Sequence, residues 1–144
     1  MTKSRVFAFL AALVTVFIFS ASSQSAEQSS ELSGGLLDIL MSLFGKTGIT
    51  LTHLFIRKAA HFIEFFMQSL FLSLSAHYSA KGIRRYALSI AFAGLLTACI
   101  DEFSQYFAIG RSAQVSDVLI DFGGTVSALI LILAIVELSR RRAR

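Results

Sequence analysis

The sequence predicts an all-α fold, an integral membrane bundle of four transmembrane helices with a short helix in the outer interface. Three observations lead there: a hydrophobic content of 55% with a mean hydropathy of +0.70, four apolar runs of spanning length, and basic residues gathered beside those runs. A water-soluble domain of 144 residues must turn a large share of its side chains to solvent, and this composition leaves too few polar ones to do so.

The spans follow from length. Roughly 20 apolar residues at 1.5 Å rise cross a hydrocarbon core of about 30 Å. The runs Val6 to Ala21, Ala59 to Tyr78, Tyr86 to Ala108 and Val118 to Val136 approach or reach that length, and no proline interrupts them. The first run also fits a signal peptide: "MTKSR" is a basic start, "VFAFLAALVTVFIF" an apolar stretch, and Ala21, Ser23 and Ser25 are small enough for cleavage. Either alternative delivers Ser22 to the outside. The chain reads as one membrane domain over residues 1–144, without internal repeats.

The connections differ in character. Residues 22–56 form an outer loop whose first half is rich in Ser and Gln. Further on, Leu36, Leu40, Leu43 and Phe44 recur at helical spacing, which predicts the short interfacial helix, ended by the Gly45 to Gly48 stretch. "KGIRR", residues 81–85, predicts a tight turn flanked by Tyr78 and Tyr86 at interface depth.

Charge sets the expected orientation. Lys3, Arg5, Lys81, Arg84, Arg85, Arg140, Arg141, Arg142 and Arg144 fall on one side of the spans, against Lys46, Arg57, Lys58 and Arg111 on the other. The positive-inside rule then puts both termini of a multi-pass membrane protein in the cytoplasm. The net charge of +4 reflects these flanks, so nucleic acid is not an expected partner. The single cysteine, Cys99, forms no internal disulfide and reads as a buried packing residue. His53 and His77 read as interfacial side chains.

Polar residues inside the apolar runs mark the candidate site. Counted from the cytoplasmic ends, Glu64, Asp101 and Asp121 reach a common depth, with His61, Gln105 and Asp117 one turn further out. Arg57, His61, Glu64 and Gln68 share one helix face, as do Asp101 with Gln105 and Asp117 with Asp121 and Gly124. Glu102 is turned about 100° from Asp101, toward a different neighbour. Ionisable groups in a membrane are costly and face a bundle interior, so these stripes predict a polar pocket. In the third connection Gly110 permits a tight turn and Ser116 or Asp117 offers a cap for the fourth helix. Gly123 and Gly124, spaced from Ser127 and Ala128, invite close approach of another helix, in the same chain or in a second copy of a homo-oligomer.

These residues carry a resemblance. "SSQSAEQSSELS", "RKAAHFIEFF" and "DEFSQYFAIGRSAQVSDVLIDFGG", in that order after a first span, resemble the VanZ-like family of bacterial membrane proteins from about Ser22 to Ala128. By position, Arg57, Lys58, His61 and Glu64 match its second-span motif, Asp101, Glu102 and Gln105 its third, and Arg111, Asp117 and Gly124 its closing segment. The resemblance implies a retained first span and a connection with low-level resistance to teicoplanin, a lipid-tailed glycopeptide.

Three functional classes fit the site. One is a protein that binds or modifies a cell-envelope amphiphile among the membrane lipids, such as a lipid-linked cell-wall precursor or a lipoglycopeptide. Arg57, Lys58 and Arg111 would hold a phosphate while Glu102, Gln105, Asp117 and Asp121 contact hydroxyls. The second is an enzyme, a hydrolase or transferase on a lipid-linked phosphate or glycan, with His61 as general base and Glu64 or Asp101 as general acid. In that class a divalent metal held by His61, Glu64, Asp101 and Asp121 is an alternative. The third is a structural bundle in which the same groups form an ion-pair network. A transporter fits poorly, because four spans without inverted symmetry enclose little of a path.

Overall fold

The computed structural model describes residues 2–32, 34–35 and 52–143. Four long helices account for most of them: α1, Lys3–Ser22; α2, His53–His77; α3, Ile83–Gln105; and α4, Val115–Arg142. Each is long and apolar enough to cross a membrane. A shorter helical stretch over 26–32 follows α1. The expected interfacial helix around Leu36 to Phe44 and its Gly45 to Gly48 terminus lie outside the described residues.

The ends differ from those the apolar runs suggested, for identifiable reasons. α2 begins at His53, because Thr52 adopts extended backbone and its hydroxyl accepts from the Phe55 N–H, an N-cap that hydropathy does not register. Arg57 and Lys58 therefore stand on the helix, and the outer loop is shorter than 22–56. α3 stops at Gln105, short of Ala108, and Gly110 at φ +75° turns the chain toward α4. α4 runs on through Arg140, Arg141 and Arg142, cations that suit a helix C-terminus.

α2 packs most extensively against α4 and next against α1, while α3 touches α4, α2 and α1. α1 and α4 thus lie across the bundle from one another. The two ends are fixed by specific contacts. Ser75 Oγ donates to the Ser4 carbonyl at 2.9 Å, Phe7 stacks on Phe71 and Tyr78, and the Lys3 ammonium sits 5.4 Å from the Tyr78 ring. An ion pair between Arg84 and Glu137 joins the start of α3 to the end of α4. The start of α1, the end of α4 and the 78–82 turn therefore share one end of the bundle. The other end holds Ser22, residues 57–64, 101–105 and 111–121.

Burial is inverted relative to a soluble protein. Gln68, Ser69, Ser73, Asp101, Glu102, Gln105, Asp121 and Thr125 are buried, whereas Phe9, Phe17, Leu88, Phe92, Phe103 and Ile130 face outward. That distribution suits a bundle whose surroundings are hydrocarbon, where packing of small residues and interhelical hydrogen bonds hold helices together. Gln68 Nε2 donates to Thr15 at 2.8 Å, and Ser69 Oγ to the Thr125 carbonyl at 2.8 Å. Cys99 is a correction to the sequence reading: it is exposed on the outer face of α3, which accommodates an apolar thiol as readily as the interior would.

Glycine sets the closest contact. A Cβ on Gly124 would lie 2.3 Å from the Phe62 carbonyl oxygen, so α2 and α4 meet backbone to backbone there. On Gly123 a Cβ would meet the Phe62 ring at an ordinary 3.7 Å. The helix that approaches this small-residue face is α2 of the same chain. Within that face Gly124 and Ala128 are buried, whereas Ser127 is exposed.

Candidate functional site

Phe65, Ile18 and Ala98, all fully buried, form an apolar floor. Above it, α2, α3 and α4 bring His61, Asp101 and Asp121 together. His61 Nδ1 lies 3.6 Å from Asp121 Oδ1 and 4.0 Å from Asp101 Oδ2. One ligand-type atom from each of the three residues falls within 4.8 Å of the other two. Both aspartates are 0% exposed.

The two carboxylates are held differently. Asp101 Oδ2 accepts from Ser22 Oγ at 2.9 Å and from Gln105 Nε2 at 2.9 Å. Gln105 reaches Asp101 because a long helical side chain leans back over the turn on its N-terminal side. Among the described residues neither oxygen of Asp121 has a hydrogen-bond partner, nor does Asp101 Oδ1.

The sequence depth count separated His61 and Gln105 from the three carboxylates by a turn. The structure merges those levels for His61 and Gln105, since the imidazole and the amide each span the distance that the count assigned to a layer. Asp117 remains apart, paired with Lys58 near the rim. Glu102 does face another neighbour: its carboxylate accepts from the backbone N–H of Gln114. Gln114 is the N-cap of α4 and offers no side-chain cap of its own, so neither Ser116 nor Asp117 occupies that position. Asp117 instead stands in the first turn, where a negative charge suits the helix dipole.

A cavity of about 410 Å³ opens beside this cluster. Arg57, His61, Glu64 and Arg111 form its polar wall, and Phe17, Leu32 and Ile56 are among its apolar lining. Glu64 Oε2 is buried without a hydrogen-bond partner among the described residues. Arg111 is anchored, donating to the Ser22 carbonyl at 3.0 Å and to Ser29 Oγ at 3.2 Å. Burial, and after it the nearby Arg57, lower the pKa of Arg111, although a guanidinium remains charged at neutral pH. Arg57 forms no ion pair among the described residues, so its charge is available to a ligand.

With this geometry in view, the family can be assigned. A family model described as VanZ/LLP1 matches residues 7–136. The chain belongs to the VanZ/LLP1 family. No curated protein and no solved structure matches it.

The matched region of this VanZ/LLP1 chain includes every residue of the cluster and α1 from Phe7 onward. α1 contributes Ser22 to the polar cluster and Phe17 to the cavity lining. Sequence reasoning built the pocket from the second, third and fourth spans and missed Ser22, Ser29 and the Gln114 N–H. Serines at a helix end and backbone groups carry no periodic signal. His53 and His77, read as interfacial, are both exposed and away from the cluster, His77 lying edge-on to Tyr78.

Proposed function

We propose that this VanZ/LLP1 protein binds the anionic head of a cell-envelope amphiphile at the outer face of the bacterial cytoplasmic membrane. The observation that carries this reading is the mixed lining of the cavity, with Arg57 and Arg111 among its polar residues and Phe17, Leu32 and Ile56 among its apolar ones. Such a lining suits a molecule with a charged head and an apolar tail, a lipid-linked phosphate above all. A guanidinium offers a planar fork to phosphate, and Arg57 has no competing ion pair among the described residues. Lys58 and Asp117 close the neighbouring rim as a pair. Orientation with both termini in the cytoplasm, expected from the flanking cations, would place this end of the bundle outside.

The test is direct binding. The purified full chain in nanodiscs would be titrated with a fluorescent polyprenyl diphosphate, with its uncharged polyprenol as control. Saturable binding of the diphosphate, weakened about tenfold in Arg57→Gln as expected for one charge-assisted contact, supports the reading. Equal binding of diphosphate and alcohol, or none of either, overturns it.

A second reading, catalysis on the same ligand, is favoured by one observation. His61 stands on the cavity wall with two carboxylates behind it, and Glu64 is one turn along the same helix face. That is the arrangement of a base with its orienting groups and an adjacent acid. Phosphate release from the bound diphosphate, lost in His61→Gln with binding retained, would distinguish an enzyme from a receptor.

A further inference from the structure

The cluster of His61, Asp101 and Asp121 is unusual in what it lacks. Two carboxylates with no exposure face one imidazole at distances too long for a hydrogen bond. Three of their four oxygens, and the imidazole Nδ1, receive or make no hydrogen bond among the described residues. Buried carboxylates left so are costly, and a protonated His61 would neutralise one of the two. A doubly charged cation beside a neutral imidazole would neutralise both.

We propose that His61, Asp101 and Asp121 bind a divalent first-row metal ion, of the manganese or zinc type. Geometry supports this independently of charge. Ligand atoms stand about 2.0–2.2 Å from such an ion, hence roughly 3 Å from one another, so the observed separations close with movements of about 1 Å or less. One donor comes from each of three helices, and the α2–α4 pair is clamped at Phe62 and Gly124, one residue from His61 and three from Asp121. Asp101 is oriented by Ser22 and Gln105, as the outer partners of a metal ligand are. Its Oδ1 carries no hydrogen bond among the described residues, so the carboxylate keeps a free oxygen for the ion beside the Oδ2 that lies nearest His61.

There is also space beside the ligands. A void of about 10 Å³, lined by Arg57, Lys58, His61, Asp117, Ile120 and Asp121, adjoins two of the three. It is about the size that admits a single water. Lys58 is neutralised there by Asp117, which reduces its repulsion of an incoming cation, while Arg57 keeps its charge at the same void. A mixed set of one imidazole and two carboxylates suits manganese, iron or zinc better than magnesium or calcium, which favour oxygen alone. Glu64 is not in the three-residue set and remains on the cavity wall.

The site needs no amphiphile, so it is tested without one. Full chain purified in detergent, stripped with chelator, would be dialysed against MnCl2 or ZnCl2 and its metal content measured by mass spectrometry. Manganese samples would also be examined by electron paramagnetic resonance. The expected result is about one ion per chain, with binding weakened at least tenfold in the isosteric Asp121→Asn and in His61→Gln. Glu137→Gln, a surface change at the opposite end, should retain the ion. Wild-type content below about a tenth of an ion per chain at saturation overturns the proposal, because the cluster would then be neutralised by protons. Undiminished binding in both variants overturns it as well, since the metal would be held elsewhere. Should either variant fail to accumulate, wild-type stoichiometry and the rise in its melting temperature with added metal still decide the matter. Polyprenyl diphosphate binding is measured separately, so either reading can fail without the other.

Discussion

Ser22 and Asp101, 79 positions apart in the chain, are joined by a 2.9 Å hydrogen bond from the serine hydroxyl to the carboxylate. Ser22 is the last residue of α1 and is almost wholly buried. The bond ties the first helix to the polar cluster, and Arg111 strengthens the tie by donating to the carbonyl of the same serine. Replacing Ser22 with Ala removes one of two donors to a buried carboxylate oxygen. The expected cost is about 1–2 kcal/mol of stability, read as a lowered melting temperature in detergent, with Ser22→Thr milder because it keeps a hydroxyl.

Gly124 and Gly123 make a contrasting pair. An Ala at Gly124 would force its Cβ against the backbone of α2, which has no side chain to swing aside, so about 1–3 kcal/mol of stability should be lost. Ala at Gly123 meets the Phe62 ring at a normal distance and should be tolerated. Thermal unfolding of the two variants, side by side, tests the register of α2 on α4.

Arg57 and Arg111 should separate by phenotype. Arg57→Gln is expected to weaken diphosphate binding with the melting temperature unchanged, because its guanidinium forms no ion pair among the described residues. Arg111→Gln should lower both, since it also removes the donors to the Ser22 carbonyl and Ser29. A like fall in stability for both variants would refute this division of labour.

Teicoplanin provides the test in cells. Expression of the wild type in a Gram-positive host should reduce susceptibility to teicoplanin more than to vancomycin, because the former carries a lipid tail. Glu64→Ala at matched membrane level should abolish the difference. Protection retained in Glu64→Ala would separate the phenotype from the cavity.

Topology is open to reporter fusion. A reporter active only in the cytoplasm should be active when fused after Arg144 and inactive when inserted near Gly34 in a chain that keeps its first helix. The opposite pattern would invert the proposed location of the cavity.

Much of this could be read before any coordinates. Four apolar runs determined the number of long helices, and flanking cations placed the termini together, because hydrophobicity and charge are properties of composition along the chain. Helical periodicity also put His61 with Glu64, and Asp101 with Gln105, on common faces. It could not determine how one helix slides or rotates against another. That was decided by the Gly124 contact with Phe62, by the bond from Ser22 to Asp101, and by the turn at Gly110 that brings Arg111 beneath the end of α1. Each depends on backbone groups or small side chains that carry little periodic signal. The sequence therefore determined which residues are costly to bury, and only the tertiary structure decided which of them meet, because helix register depends on contacts between residues far apart in the chain.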